Sequence, residues 1–465
     1  MENTAIAIPS KKSKYLKNTK ELNAFHKLAV GYVFALYVLP QYFGIPNPIF
    51  DLTAVRIMVV LVLAMVVSDY GRSHAFMDVV HKEKIGLILI PYIIVLIYTM
   101  VLRIDPNAFL NPFVELLELY ILIYLIKDTL GVEGAFKIIM FCIYTIVILG
   151  FLEMLIGVSP FSFLRTIDGL YTGRYIRGGH YRIMSSANHS LGYGLMLVTM
   201  LPFSGYDVET REYNVFRRPI LLICMMVNIF QTGSRSTLGV AFAEIVLMLL
   251  LSDAKYLKSN LFFLTTGLVI FGLFLALTIR TSFGNYVMLQ ITSLIDSLFN
   301  TTYSAAYGAN LTQLRQSKAY RELLKEVFHV DWINPLLGIG RKRGFKSLVN
   351  GRVIKSIDNF YIAEFVRYAY PGMYSYILFL AYMGISMVRD CFKTKSGIIR
   401  MCLIGSVMYC LNLKVVDSLQ TLKYLYVLFA LYICADKSPY VPTEKKSKYF
   451  KKERAHFAGY QQISK

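Results

Sequence analysis

Residues 334–372 read NPLLGIGRKRGFKSLVNGRVIKSIDNFYIAEFVRYAYPG, and the rest of the chain is organised around them. This stretch is rich in lysine and arginine, is punctuated by glycine, and reaches Asp358 and Asn359 where a hydrophobic segment begins. The sequence on both sides is mostly apolar. Charged residues are costly in a lipid phase and are kept there where they are paired or used. We therefore expect the working site in this stretch, together with arginines that reach it from other segments.

The composition is that of a membrane protein. Of the 465 residues, 56% are hydrophobic and only 17% are charged, and the mean hydropathy is +0.51. A soluble chain would have roughly a quarter of its residues charged. Apolar runs of about 18 residues or more recur along the sequence, and each is long enough to cross a bilayer. We predict an all-α polytopic membrane protein with about 12 transmembrane helices.

The predicted domain order alternates basic tails, helices and external loops. It is a basic tail at 1–23, nine helices within 24–279 with an external loop at 157–186, a large external loop at 280–357, three helices within 358–435, and a basic tail at 436–465. Apolar residues at helical spacing over 311–328 predict a helix in the large loop, packed on the outer face of the bundle or lying at the membrane surface. Pro371 predicts a kink in the following helix.

The net charge of +20 is explained mainly by topology. Lysine and arginine accumulate in cytoplasmic loops, so we predict no nucleic-acid partner, and the bilayer is the expected partner. The distribution of these residues outside the large loop predicts that both termini are cytoplasmic. The loops 157–186, 231–236 and 280–357 would then share the outer side of the membrane.

Three segments of that outer side contribute arginines that could meet: Arg174, Arg177 and Arg182; Arg235; and Arg341, Arg343 and Arg352. The guanidinium offers paired donors that match phosphate oxygens and keeps its charge. Several guanidiniums in a low-dielectric site would bind a diphosphate. Arg235 is the most informative, because it interrupts two apolar segments within the sequence GSRS. The alternative is that these arginines pair with local acids or extend to lipid headgroups.

Asp358 has two readings. It is a good helix N-cap, or it is a carboxylate directed into an outer cavity, where it could take a proton from a hydroxyl group of an acceptor. Glu364 and Arg367 are one turn apart, and we expect them to form a structural ion pair.

No metal or cofactor is predicted. His180 and His189 have no partner at ligand spacing, and the six cysteines include no CxxC pair. The glycines at 338, 340 and 344 do not match a nucleotide-binding loop, and no Walker A or HExxH motif occurs.

Three motifs occur in a fixed order: RIMSSANHSLGYGLMLVTMLPF from Arg182, QTGSRSTLGV from Gln231, and NPLLGIGRKRGF followed by IDNFYIAEFVRYAYPGMY. Together they resemble the bacterial O-antigen ligase and polymerase superfamily of membrane glycosyltransferases. The resemblance extends over residues 182–374. It implies a metal-independent enzyme that acts on polyprenyl-diphosphate-linked oligosaccharides, with undecaprenyl as the lipid, at the outer face of the cytoplasmic membrane.

The resemblance also implies roles for particular residues. Arg182 and Asn188 match the first motif, Arg235 matches the second, and Asn359 and Tyr361 follow Asp358 in the third. Ligases of the family have histidine at the position of Asp358, which favours a polymerase of oligosaccharide repeat units.

Such a polymerase would make a surface polysaccharide such as an O-antigen, a capsule or an exopolysaccharide, and a chain-length regulator protein is a further candidate partner. The alternatives are a ligase that transfers glycan to a lipid or protein acceptor, and a transporter or flippase of an anionic lipid-linked glycan.

Overall fold

The computed structural model describes residues 19–438 apart from 48–49, 172, 174, 178–179, 350 and 355. The side chains of 19–23, 177 and 352 are also outside the description. Most of the two predicted basic tails, 1–23 and 436–465, therefore lies outside the described residues.

The described chain is all-α, in agreement with the predicted fold class. Its helices in chain order are α1 (Thr19–Tyr37), α2 (Ala54–Val67), α3 (Tyr70–Lys82), α4 (Ile85–Arg103), α5 (Pro106–Tyr124), α6 (Gly131–Ile156), α7 (Ser190–Met200), α8 (Pro219–Gln231), α9 (Arg235–Leu250), α10 (Leu257–Thr278), α11 (Ser282–Phe299), α12 (Leu311–Leu323), α13 (Phe360–Thr394), α14 (Gly397–Asn412) and α15 (Leu422–Cys434). Three short antiparallel strand pairs lie in the connections: β1 (Gly44–Ile45) with β2 (Leu52–Thr53), β3 (Ile176–Arg177) with β4 (His180–Tyr181), and β5 (Ser347–Val349) with β6 (Arg352–Ile354).

Four helical stretches of the described chain are long and apolar enough to cross a membrane: Ile85–Arg103, Pro106–Ile156, Ala254–Thr278 and Phe360–Thr394. The pair α2 and α3, bent by 115°, adds a fifth if it counts as one span. Five shorter apolar helices accompany them: Ala24–Tyr37, Ser190–Gly205, Pro219–Gln231, Gly397–Asn412 and Leu422–Cys434. These apolar helices indicate a membrane-embedded protein.

The stretch Pro106–Ile156 contains two helices. A single helix of this length would be more than twice as long as a bilayer core is thick, roughly 30 Å. A π-helical turn at Leu125–Leu130 and Gly131, with φ of 66°, separate α5 from α6. Glycine adopts this backbone conformation without strain.

The connections meet at two ends of the bundle. At one end, the Gln41 side-chain amide donates to the Gln420 carbonyl at 3.4 Å, and Arg103 donates to the Gly338 carbonyl at 2.7 Å. At the other end, Arg400 donates to Asp253 at 2.8 Å. We call the first end the site end. It comprises the described parts of the connections 38–53, 104–105, 157–189, 232–234, 279–359 and 413–421.

Two helices show how differently the bundle buries its apolar segments. In α15 every residue from Leu422 to Tyr432 is buried. In α10 the only buried residue is Asn260, although most of the helix is apolar. An apolar helix that packs so little against protein has lipid as its natural surroundings.

The helix α13 is broken near its start. Ala369 has φ 55° and ψ −165°, two residues before the kink that Pro371 predicts. Because proline has no N–H, the Arg367 carbonyl loses its usual helical donor, and the Gly340 N–H binds that carbonyl instead at 3.0 Å. A β-carbon on Gly338 would lie 2.2 Å from the Arg367 oxygen, so only glycine fits there. The glycines of the NPLLGIG segment thus serve to dock the large loop against the broken helix.

Two helices of the described chain, α3 and α11, were not predicted. Both contain many polar residues and do not resemble membrane spans, and α11 lies within the predicted large loop. The predicted helix at 311–328 appears as α12 followed by a 3-10 turn at Leu324–His329.

Candidate active site

A large cavity of about 1660 Å³ opens at the site end. Among the described residues that line it are ten arginines and lysines: Arg56, Arg182, Arg235, Arg315, Lys318, Arg321, Arg341, Arg343, Arg367 and Lys414. The described lining includes four carboxylates: Glu115, Asp296, Asp358 and Asp417. This excess of positive charge would attract an anionic ligand.

Arg235 is the first residue of α9, and this helix begins at the cavity. Ser234 caps the helix, because its hydroxyl oxygen accepts from the Thr237 N–H at 3.4 Å. The first turn of a helix exposes backbone N–H groups and carries partial positive charge. Arg235 therefore places a guanidinium at a helix start, and both features favour the binding of an anion.

Arg182 lies beside the turn that precedes α9. Its side chain is buried, and its Nε donates to the Thr232 carbonyl. Its guanidinium carbon lies 5.0 Å from the centre of the Tyr175 ring. Gly233 has φ of 62°, and a β-carbon there would lie 2.9 Å from Arg182 Nε. Glycine at 233 therefore allows the turn to form and lets Arg182 pack against it.

Arg341 and Arg367 share one buried carboxylate. Glu364 Oε1 lies 3.2 Å from Arg367 Nη1 and 3.8 Å from Arg341 Nη2. Arg367 Nη2 also binds Asp417 at 2.8 Å. The expected Glu364–Arg367 pair is confirmed. Both arginines line the cavity, but the adjacent carboxylates offset much of their charge.

Asp105 fixes the backbone of the segment that carries Arg341. Its Oδ2 accepts from the N–H of Arg341 at 2.6 Å and from the N–H of Lys342 at 2.7 Å. The next cavity residue, Arg343, is exposed. The cationic loop is therefore held at its base while Arg343 extends into solvent.

Asp358 lines the same cavity as Arg182 and Arg235. It is exposed, and its Oδ1 accepts from the Ser356 hydroxyl at 2.9 Å. The N-cap of α13 is Asn359, whose side-chain oxygen accepts from the Ile362 N–H at 3.1 Å. The reading of Asp358 as the helix cap is therefore wrong, because the next residue satisfies the helix start.

Three of the predicted substrate-binding residues are absent from the described cavity lining. Asn359 caps α13 and donates to the Lys414 carbonyl at 2.8 Å. Tyr361 donates its hydroxyl hydrogen to the Cys410 carbonyl at 2.9 Å. The backbone N–H of Asn188 lies 3.4 Å from the side-chain oxygen of Gln41. The side chain of Arg177 lies outside the described residues.

His189 also lines the cavity, although its sequence context did not predict a role in the site. It caps α7, and its Nδ1 accepts from the Leu191 N–H at 3.0 Å. Burial, and then the charge of Arg182, lower the pKa of His189 to about 4, while Asp358 acts in the opposite direction. The imidazole is therefore neutral near pH 7 and senses both Arg182 and Asp358. Its position just before an apolar run was the available sequence signal.

Other charged cavity residues come from apolar segments. Arg56 lies in α2, and its Nη1 donates to the Asp51 carbonyl at 2.7 Å. Glu115 lies in α5, and Asp417 follows α14. A charge within an apolar run is expected to face the protein interior, but the sequence does not say which cavity it lines.

No protein-family model matches the chain, and no curated protein matches it either. The resemblance of its three motifs to O-antigen ligases and polymerases therefore stays a prediction.

Proposed function

We propose that the chain is a membrane glycosyltransferase that polymerises undecaprenyl-diphosphate-linked oligosaccharide repeat units into a surface polysaccharide. The observation that carries the proposal is the shared cavity. Arg182, Arg235 and Arg341 reach it from three separate segments, and Asp358 lines it as well. A diphosphate leaving group needs several fixed positive charges, and an acceptor hydroxyl needs a nearby base.

In the proposed reaction, a hydroxyl oxygen of the acceptor sugar attacks the anomeric carbon of the donor, and the bond from that carbon to the diphosphate oxygen breaks. The hydroxyl proton passes to the carboxylate of Asp358. The undecaprenyl diphosphate leaves as an anion, and Arg182 and Arg235 stabilise the charge that grows on it. Cleavage of the bond between the sugar and the diphosphate supplies the driving force, so no nucleotide is consumed.

An apolar strip supports a lipid-linked substrate. Gly239, Val240 and Ala243 of α9 line the cavity below Arg235, and Leu411 of α14 lines it too. These residues are uncharged and apolar, so they suit a hydrocarbon chain better than a sugar. One cavity with a cationic part and an apolar part suits a molecule that joins a diphosphate to a hydrocarbon chain.

The proposed topology has about 12 spans, with both termini in the cytoplasm and the cavity on the outer side of the cytoplasmic membrane. Successive long helices run between the two ends of the bundle in alternating directions, which supports this topology. The excess of lysine and arginine in the tails supports it as well. A chain-length regulator is a proposed partner.

The test uses the natural substrate. A strain in which the gene is deleted should accumulate single repeat units on the lipid carrier, and these are extracted and given to the purified protein in vesicles. We expect the wild-type protein to lengthen them, and Asp358→Asn to lose nearly all of this activity. Asp331→Asn is the matched control, because Asp331 is an exposed carboxylate of the same loop that is not part of the described cavity lining.

Two outcomes would refute the polymerase, and a third would refute the role proposed for Asp358. Long glycans without an acceptor in the deletion strain would indicate a ligase. Movement of the lipid across the vesicle membrane without lengthening would indicate a transporter. Full activity of Asp358→Asn would remove the proposed base.

A further inference from the structure

A second, smaller chamber opens beside the cavity. Its volume is about 200 Å³. It shares Arg182, Gly233, Arg235 and Leu314 with the large cavity, so the two arginines stand where the chambers join. The remaining described lining comes from β4, from α11, from the segment that leads into α12 and from the first turn of α12.

The small chamber differs chemically from the large one. Its polar lining beyond the two arginines includes the neutral side chains of Gln290, Ser293, Asn310 and Gln313. No carboxylate and no lysine belongs to its described lining. Amides and hydroxyls both donate and accept hydrogen bonds, which suits a ligand whose polar groups are hydroxyls.

Two aromatic rings, those of His180 and Tyr286, contribute to the lining of the chamber. The His180 and Tyr286 rings lie 3.8 Å apart between centres with an angle of 30° between their planes. The Phe230 ring packs against Tyr286, with 5.4 Å between the ring centres and an angle of 79° between the planes. Flat ring surfaces next to hydrogen-bonding amides give a pocket that is apolar on one side and polar on the other.

We propose that this chamber binds the sugar ring that is linked directly to the diphosphate, and that its amide side chains select which sugar is accepted. The inference rests on the proposed function, in which Arg182 and Arg235 bind the diphosphate. A sugar ring joined to that diphosphate lies next to the junction, and the small chamber opens there with amide and hydroxyl groups in its described lining. The large cavity is then left for the lipid chain and the acceptor.

The hydrogen bonds within the protein define what each group offers. The Asn310 side-chain oxygen accepts from the Gln313 N–H at 3.1 Å, so the amide NH2 of Asn310 is its remaining donor. The Ser293 hydroxyl donates to the Gln290 carbonyl at 3.0 Å, so its oxygen remains an acceptor. Donors and acceptors at fixed places discriminate between sugars that differ in one hydroxyl or acetamido group.

The experiment measures binding of polyprenyl diphosphate, bare or carrying one sugar, to the purified full-length protein. The sugar-bearing probes are a panel of polyprenyl-diphosphate hexoses and N-acetylhexosamines. We expect at least one of them to bind more tightly than the bare lipid. Gln290→Ala and Gln313→Ala should each weaken binding of that probe by about threefold to tenfold, the effect of a lost hydrogen bond, and leave the bare lipid unchanged.

Gln316→Ala is the matched control, because Gln316 is exposed on the same helix as Gln313 and is absent from the described lining of both chambers. The control should keep the full preference for the sugar-bearing probe. The inference is overturned if no probe binds more tightly than the bare lipid, or if both glutamine variants keep the wild-type preference. Failure of the wild-type protein to bind bare polyprenyl diphosphate would overturn the proposed function, and the inference with it.

Discussion

Two groups of arginines line the same cavity, and the residues around each group differ. Arg341 and Arg367, on the side of α13, lie against Glu364, and Arg367 also binds Asp417. Arg182, on the side of α7 and α9, donates to a backbone carbonyl and lies over a tyrosine ring. A carboxylate offsets the charge of a guanidinium, so the α13 side is less able to bind an anion. On the α9 side, Arg235 stands at a helix start, which favours negative charge. We infer that the α9 side binds the anion and that the α13 side builds the wall of the cavity.

The largest expected effect comes from removing charge on the α9 side. Arg235→Ala should lower turnover of lipid-linked repeat units by about 100-fold to 1000-fold, the typical effect of losing one group that stabilises developing negative charge. Arg235→Lys should recover only part of this loss, because lysine lacks the paired donors of the guanidinium.

The matched control is Arg280→Ala, which removes an exposed arginine of the site end that is absent from the described lining. Turnover of this variant should equal that of the wild type. Equal losses in Arg235→Ala and Arg280→Ala would mean that the effect comes from net charge alone.

The α13 side should respond in stability. Glu364→Gln removes the charge that Arg341 and Arg367 share, and leaves two guanidiniums around a buried neutral amide. Loss of one partner from a buried pair costs about 3 kcal/mol or more. We expect a clearly lower melting temperature in detergent.

The control for this variant is Tyr92→Phe, which removes only the hydrogen bond from Tyr92 to Glu364 at 2.9 Å. That loss should be about 1 kcal/mol. A Glu364→Gln protein as stable as Tyr92→Phe would contradict the assignment of Glu364 as the compensating charge.

The docking of the loop that carries Arg341 depends on Gly338. Gly338→Ala places a β-carbon 2.2 Å from the Arg367 carbonyl oxygen, so the loop must move away from the break in α13. We expect a loss of about 2 kcal/mol in stability, as for other overpacked sites, and reduced turnover.

Gly344→Ala is the comparison, since a β-carbon there has no heavy atom within 4 Å. Limited proteolysis of the large loop and thermal unfolding together measure the difference. Similar behaviour of the two variants would show that the docking of the loop is not set by Gly338.

The smallest effect concerns pH on the α9 side. The pKa of His189 is lowered to about 4 in the folded protein, against about 6.5 in an unfolded chain. Between these values the unfolded chain binds more protons, so stability should be full above about pH 6.5 and should fall as the pH decreases toward 4.

His189→Asn keeps a good helix cap and removes the titration. The melting temperature of this variant should depend less steeply on pH in that range than the wild type. An unchanged slope would mean that His189 is not the group that titrates.

The sequence predicted the all-α class and brought Arg182, Arg235, Arg341 and Asp358 forward, because an arginine or aspartate beside apolar runs is conspicuous. Other features depend on tertiary contacts that leave no mark in hydropathy. The α11 helix contains Asn285, Gln290 and Asp296 and does not resemble a span.

The N-cap of α13 and the exact position of the break in this helix could not be predicted from the sequence either. Asp358 and Asn359 are both good caps, and only the structure assigns the cap to Asn359. The break at Ala369 lies two residues before the position that Pro371 suggests, and the large loop supplies the donor that proline lacks. His189 was passed over because its electrostatic interaction with Asp358, a residue of the large loop, depends on the tertiary fold.

The most direct measurement is the affinity of the purified protein for undecaprenyl diphosphate and for undecaprenyl phosphate. If the arginines of the α9 side bind a diphosphate, the diphosphate lipid binds the wild-type protein more tightly than the monophosphate lipid, and Arg235→Ala loses this preference while Arg280→Ala keeps it. Equal affinity of the wild-type protein for both lipids, or an unchanged preference in Arg235→Ala, would contradict the account.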